Sequence, residues 1–238
     1  MKRFWNTATV APADHGYAVL LDGRPMHLPA GPELRIRSRR LAEAVAAEWQ
    51  QAGAAKGGEM SFADTPLTRL AGTAQQRVAP DPAPTADAIA RYAEHDLLCY
   101  RATSPDNLVR RQARAWQPWL DWAALAYDAP LRVTAGIAPI RQPPDSVAAL
   151  RRAVAALDVA VLAALGIAVP ALGSLVLGLA LAEGRLDAPT AHALGVLDEL
   201  FETEQWGEDA EAAARRAAIA ADIALAARFI ALSKEQPP

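Results

Sequence analysis

Cysteine is almost missing from this 238-residue chain. The single Cys99 excludes an intrachain disulfide and any cysteine-rich zinc site, and its neighbours Leu97, Leu98 and Tyr100 mark it as a small buried hydrophobe. Four scattered histidines add no metal-ligand spacing. Long apolar runs are missing too: the stretch 172–182 falls short of the ~20 apolar residues a membrane span needs, and the N-terminal MKRFWNTATV has no apolar signal-peptide core. A soluble, intracellular protein without membrane insertion is expected. Excess positive charge is absent, since the net charge is −3 and the sequence pI near 5.8, which argues against nucleic acid as a partner. The Walker phosphate loop, the G-x-G-x-x-G turn, H-E-x-x-H and G-x-S-x-G do not occur either, which counts against a standard enzyme.

What remains is an apolar fraction of 52%, ample for a packed core. Charge is mildly segregated: residues 1–80 hold ten Lys or Arg against seven acids, residues 81–238 fourteen against twenty. Two surfaces with different partners would produce such an asymmetry.

Between residues 7 and 37 short apolar runs alternate with turns, and Asp22-Gly23 between two such runs is a strong hairpin signal. Ser38 caps a helix that buries Leu41, Ala44, Val45, Glu48 or Trp49, and Ala52. Asp64-Thr65-Pro66 starts another, with Leu67, Leu70, Ala71, Ala74 and Val78 at helical spacing. The proline-rich stretch 80–84 reads as a stiff linker, and every periodic segment beyond it is helical. The fold class is therefore α+β. A small N-terminal antiparallel β-sheet domain with a packed helix (1–80) precedes a larger all-α C-terminal domain (81–238).

Within the second part, Thr85 opens one helix and Ser104-Pro105-Asp106 the next. The latter carries Trp116, Trp119 and Trp122 three apart, with Pro118 inside the pattern, where it removes a hydrogen bond and should kink the helix. Aromatics so spaced generally pack in a core. Residues 129–144 form an irregular connection, and a further helix starts at Asp145 or Ser146. The stretch 172–209 organises the rest. Its first part, starting from Pro170, is apolar all round and reads as the central core helix, with Gly173 and Gly178 permitting close approach. Gly184 ends it, and Asp187 caps a second helix running from about 188 to 205. Leu194, Leu197, Leu200 and Phe201 form the apolar stripe of that helix, and Glu204 stands one step further along it. An Ala-rich helix from about 209 to 232 closes the chain.

Seven acids, Asp198, Glu199, Glu202, Glu204, Glu208, Asp209 and Glu211, lie between residues 198 and 211 without a Lys or Arg. Two readings stand side by side. One is a solvated acidic helix end with one Glu held by a buried Arg; the other is a partner-binding surface formed by Asp198, Glu199, Glu202, Glu204, Trp206 and Gly207. An acid–base pair assembled from Asp96 or His95 with Arg101, or from Glu204 with His192, would instead make the protein a small hydrolase or transferase. A third class, an RNA-binding module, would use the tryptophans with Arg110, Arg111 and Arg114.

Seven stretches then carry a resemblance. RFW (3–5), GYAVLLDGRP (16–25), AEAVAAEW (42–49), TPLTRLAGTA (65–74), DLLCYRA (96–102), LGSLVLGLALAEGRLD (172–187) and LDELFETEQWGED (197–209) together resemble, in collinear order, the assembly chaperones of the F-type ATP synthase catalytic sector. The resemblance implies a non-enzymatic chaperone that holds the unassembled α subunit until it joins the β subunit, and it implies a sheet-containing N-terminal domain followed by a helical one. No cofactor or metal is expected, and a monomer is. In eukaryotes the family works in the mitochondrial matrix; here RFW begins at residue 3, leaving no room for a transit peptide, so a bacterial, cytoplasmic protein is expected. Glu199, Glu204, Trp206 and Gly207 match the family's acidic tryptophan motif.

Overall fold

The computed structural model describes residues 1–29, 31–136 and 138–234. Ala30, inside the turn read at 29–31, and Ile137, inside the connection read at 129–144, lie outside the described residues. The chain divides into two compact units. One comprises residues 1–82, 158–164 and the described residues from Arg228 onward; the other comprises 83–157 and 165–227. The division at residue 80 expected from sequence assigns neither of the two later segments to the first unit.

In the first unit, β1 (Ala8–Ala13) and β2 (Gly16–Leu21) pair antiparallel from Ala8↔Leu21 to Ala13↔Gly16. The other edge of β2 pairs antiparallel with β3 (Arg24–Pro25) and with β4 (Arg35–Ile36). The two-residue turn between β2 and β3 is Asp22-Gly23, both at positive φ (47° and 80°), the mirror-image turn that suits the twist of a hairpin. The Asp22 carboxylate accepts the N–H groups of Asn6 and Thr7 at 3.0 and 2.9 Å, tying the entering chain to the turn.

Helix α1 (Arg39–Gln51) follows Ser38, whose hydroxyl accepts the Leu41 N–H. It lies on β1 and β2 and buries Leu41, Ala42, Val45, Ala46 and Trp49. The alternative left at Glu48 or Trp49 resolves to Trp49, with Glu48 half-buried beside it. The Trp49 ring is core, and its Nε1–H donates to Thr68 Oγ1 at 2.8 Å. Glu48 accepts the Leu67 and Thr68 N–H groups at 2.7 and 3.1 Å, at the N-terminus of α2 (Pro66–Thr73), where unpaired donors favour an anion. Burial nonetheless pushes the Glu48 carboxyl above its ordinary range. A π-helical turn, Ala74–Val78, continues α2, and all five apolar positions expected from 67 to 78 are buried.

The RFW segment is explained by the same unit. Arg3 is only 3% exposed, and its guanidinium donates to the carbonyls of Trp5, Asn6, Gln50, Ala52 and Ala54. Trp5 packs on Trp49, 4.9 Å between centroids, and its Nε1–H donates to the Trp49 carbonyl at 3.0 Å. A cation thus gathers the carbonyls at the C-terminal end of α1, the end whose dipole favours it.

The second unit begins with α3 (Ala83–Ala90), so Ala83 and Pro84 belong to a helix and not to the linker read at 80–84; proline is tolerated in a first turn. Helix α4 (Asp106–Tyr127) continues through Pro118. Trp116 is fully buried and donates to the Leu194 carbonyl at 2.9 Å, whereas the half-buried Trp119 and Trp122 meet edge-to-face. A short parallel ladder joins β5 (Tyr100–Arg101) to β6 (Thr134–Ala135), a feature without a signal in the sequence. Then come α5 (Pro144–Ala155), α6 (Val159–Leu172) and α7 (Leu175–Glu183).

Every residue of α7 from Leu175 to Ala182 is buried, as expected of the central helix. Its start is not at Pro170, which lies inside α6. Instead the chain turns at Gly173 (φ 62°), and Ser174 caps α7 through the Leu177 N–H at 3.1 Å. A Cβ on Gly178 would sit 2.4 Å from Val169 of α6, so the close approach read from that glycine is real. The single helix read at 188–205 is two: α8 (Ala188–Gly195) and α9 (Leu197–Trp206), with Val196 outside helical geometry (φ −110°, ψ 22°). Last comes α10 (Ala210–Ser233), which buries Ile223, Ala226, Phe229 and Ile230. Among the described residues no helix is long and apolar enough to cross a membrane.

Replacing Trp49 by Ala should cost ~3–5 kcal/mol of stability, and Trp49→Phe, which keeps a packed ring but loses the bond to Thr68, about 1 kcal/mol. Urea unfolding of both variants measures this; an Ala variant as stable as the Phe variant would remove the ring from the core.

Candidate functional site

Helix α9 carries the acidic residues singled out in the sequence, and it packs against α4. Leu197 and Phe201 are its buried positions. Glu204 does follow them on the same stripe, but the stripe has run out of core by then: Glu204 is exposed, and its Oε1 accepts from Arg111 Nη1 of α4 at 2.8 Å. Arg111 also lies over the Phe201 ring, 5.5 Å from its centroid. The guanidinium beside it holds the Glu204 carboxyl below the ordinary range. A carboxylate displaced into the interior, expected from the periodicity, is therefore not what Glu204 is. It is one half of a solvated pair, of the kind that contributes little to stability.

The other acids divide sharply by what they touch. Asp198, half-buried, accepts from Gln112 Nε2 at 2.7 Å. Gln112 in turn accepts the Ala102 N–H and receives, at its own carbonyl, Arg101 Nη1 at 2.8 Å; the Arg101 guanidinium lies over Trp116 at 5.3 Å. Asp198 is thus built into the packing of α4 against the β5 strand. Glu199 faces Arg215 at 3.0 Å and Arg216 at 3.7 Å, and Arg216, 6% exposed, also holds Glu208 at 2.8 Å. The buried Arg expected to satisfy a glutamate exists, but it serves Glu199 and Glu208. Glu202 is exposed and makes no ion pair among the described residues. Trp206 is 79% exposed, and Gly207 (φ 90°) ends the helix there.

A cleft of about 530 Å³ lies between α4 and α9. Asn107, Arg110, Arg111, Arg114 and Ala115 line it from one side, Phe201, Glu204 and Gln205 from the other.

The acid–base pairs considered from sequence are differently engaged. Asp96 is wholly buried: Oδ1 accepts the Leu98 N–H at 3.1 Å and Oδ2 the Val176 N–H at 3.0 Å. It caps the N-terminus of α7 and has no access to a substrate. His95 Nδ1 faces Tyr100 Oη at 3.4 Å, Arg101 donates through Nε and Nη1 to the Leu98 and Gln112 carbonyls, and Glu204 is paired with Arg111 instead of His192; Arg101 Nη2 and His192 Nε2 are buried without a hydrogen-bond partner among the described residues. Burial pushes the Cys99 thiol up to about 12, which leaves it inert as a nucleophile.

Residues 2–124 match the family model of the ATP12 chaperone protein. The chain belongs to the ATP12 chaperone family. It is similar over 98% of its length to the crystal structure of Atp12 from Paracoccus denitrificans, with 43% identity, 98% of that chain covered and a TM-score of 0.93. A candidate chaperone from Agrobacterium tumefaciens is 37% identical, with 98% of this chain and 86% of that one covered and a TM-score of 0.91. The motifs that resembled the ATP synthase assembly chaperones thus led to the right family, and the protein is an assembly chaperone. Most of those ATP12 motifs are structural: RFW anchors α1, DLLCYRA supplies Asp96, and LGSLVLG supplies the helix that Asp96 caps.

Asp96 also gives a pH dependence. Burial, opposed by hydrogen bonds from Val176, Ser174, Leu98 and Leu175, raises its carboxyl from 3.8 to about 6. Below about pH 4 the group is protonated in both the folded and unfolded chain. Between 4 and 6 only the folded chain holds the proton, so stability falls as pH rises, by about 3 kcal/mol in all. Denaturant unfolding across pH 4–7 should show this loss in the wild type relative to Asp96→Asn, which cannot titrate. Parallel curves would contradict the raised value.

Proposed function

We propose that this chaperone binds the unassembled α subunit of the F-type ATP synthase catalytic sector and keeps it from aggregating until it joins the β subunit. The family membership supports the chaperone role, and the observation that carries the surface is Trp206: a large ring left 79% exposed at the end of an acidic helix. Tryptophan is among the residues enriched at the energetic centres of protein contacts, and here it stands beside exposed acids of the same helix. Asp198, Glu199, Glu202, Glu204, Trp206 and Gly207 form the partner-binding segment, with unequal parts. Glu202 and Trp206 are free to touch the client, Glu204 and Glu199 hold the arginines around them, Asp198 seats the helix, and Gly207 ends it.

An unassembled α subunit exposes surface meant for β, and a chaperone must cover it reversibly. A charged rim around one aromatic anchor suits a contact that the true partner later displaces. The protein works without turnover, cofactor or metal, as a monomer in the bacterial cytoplasm, and takes neither nucleic acid nor membrane as partner. The hydrolase or transferase reading is not adopted, since Asp96 is sealed, His95 faces Tyr100 and Glu204 is bound to Arg111 and not to His192.

Mixing the purified protein with isolated ATP synthase α subunit should yield a complex and suppress α-subunit aggregation; no complex at low or moderate salt would end this reading. On the same assay Glu202→Lys and Trp206→Ala should each weaken the complex about tenfold or more. Both side chains are exposed, so thermal midpoints should stay near the wild-type value. Variants that bind normally would move the contact off α9.

A further inference from the structure

The cleft between α4 and α9 holds more positive charge than its own acids use. Arg110, Arg111 and Arg114 are all exposed along α4 and line the cleft. Glu204 is bound to Arg111 at 2.8 Å, and the neighbouring Glu199 and Glu208 are bound to Arg215 and Arg216. Among the described residues Arg110 and Arg114 make no ion pair and no side-chain hydrogen bond. They stand one helical turn apart, which puts their Cβ atoms about 5–6 Å from each other on one face of α4. Two forked donors at that spacing match two carboxylates one turn apart on a facing helix, since an arginine fork takes a carboxylate with two parallel bonds.

Resting on the α-subunit reading above, we infer that Arg110 and Arg114 receive an acidic segment of the client, with Asp or Glu side chains at i and i+4 entering the cleft beside Phe201. The Glu204–Arg111 pair is the partition of this surface. It neutralises the one arginine that covers Phe201 and leaves the two outer ones for the client, while Glu202 and Trp206 face the client from α9. The contact surface is therefore of two signs, basic along α4 and acidic along α9. A client segment must carry charges in the complementary order, which fixes its direction across the chaperone and excludes the reverse one by like-charge contact. A protein carboxylate fits better than a phosphate backbone. The net charge of the chain is −3, whereas a nucleic-acid partner selects for an overall basic face.

The test is titration calorimetry of the full chain with isolated α subunit at low and moderate salt. The wild type should bind with marked salt dependence, and Arg110→Glu/Arg114→Glu should bind about tenfold or more weakly with an unchanged thermal midpoint. Arg110→Gln/Arg114→Gln should lose less. A control with the same change in net charge, Arg24→Glu/Arg40→Glu, reverses two exposed arginines of the first unit that also make no ion pair among the described residues and should bind as the wild type does. A charge-reversed cleft that binds normally, or a control that loses as much, overturns this inference and leaves the α-subunit reading standing. A wild type that forms no complex overturns both. Binding of a single-stranded RNA oligonucleotide that is lost in the cleft variant while α-subunit binding persists would assign the arginines to nucleic acid and overturn it as well.

Discussion

A helix that is apolar on every side can be buried completely, but its first turn brings N–H groups into the interior with no partner in the helix. In α7 those groups meet Asp96 and Ser174. Asp96 reaches the Val176 N–H with one oxygen and the Leu98 N–H with the other, so a single buried carboxylate satisfies two backbone segments nearly eighty residues apart. Its cost is visible in the raised pKa, and its benefit is position: α7 can start in the interior only where that carboxylate is. Around α7 the packing of the second unit follows, from the close contact of Gly178 with Val169 of α6 to the neighbouring helices α4 and α8.

The first unit answers the same constraint with the opposite charge. The carbonyls at the end of α1 converge on the buried Arg3 guanidinium, and the donors at the start of α2 converge on Glu48. In both units an ionised side chain is placed where helix ends leave backbone groups unpaired, which is where a buried charge is least unfavourable. Several of the strongest sequence motifs are therefore solutions to hydrogen bonding. That leaves a small remainder of exposed, uncommitted groups, and the candidate contact surface is drawn from it.

On α9 that distinction is between neighbours. Asp198 and Glu199 are engaged by Gln112, Arg215 and Arg216, Glu204 by Arg111, and Glu202 by nothing among the described residues. Seven acids in fourteen positions look alike in sequence because the partners of the committed ones come from α4 and α10, far away along the chain. A cluster of one sign is consequently a poor guide to which of its members face a client, and the arginines that complement it carry as much information as the acids do.

Local rules settled much of this protein. The Asp22-Gly23 hairpin, the Ser38 and Asp187 caps, the buried stripes of α1 and α2, the apolar α7 and the buried Cys99 each depend on a few adjacent residues, and the α+β class follows from their order. The family resemblance, too, was legible from motifs in register. What the chain could not show alone was anything decided by a remote partner. The break at Val196, the proline inside α6 and the β5–β6 ladder depend on neighbours that local periodicity does not encode. Glu204 is the sharpest instance. Its place on the stripe of Phe201 is a local fact, but whether that stripe still faces core three residues later depends on where α4 ends its cover, and there Arg111 stands, with water beyond it.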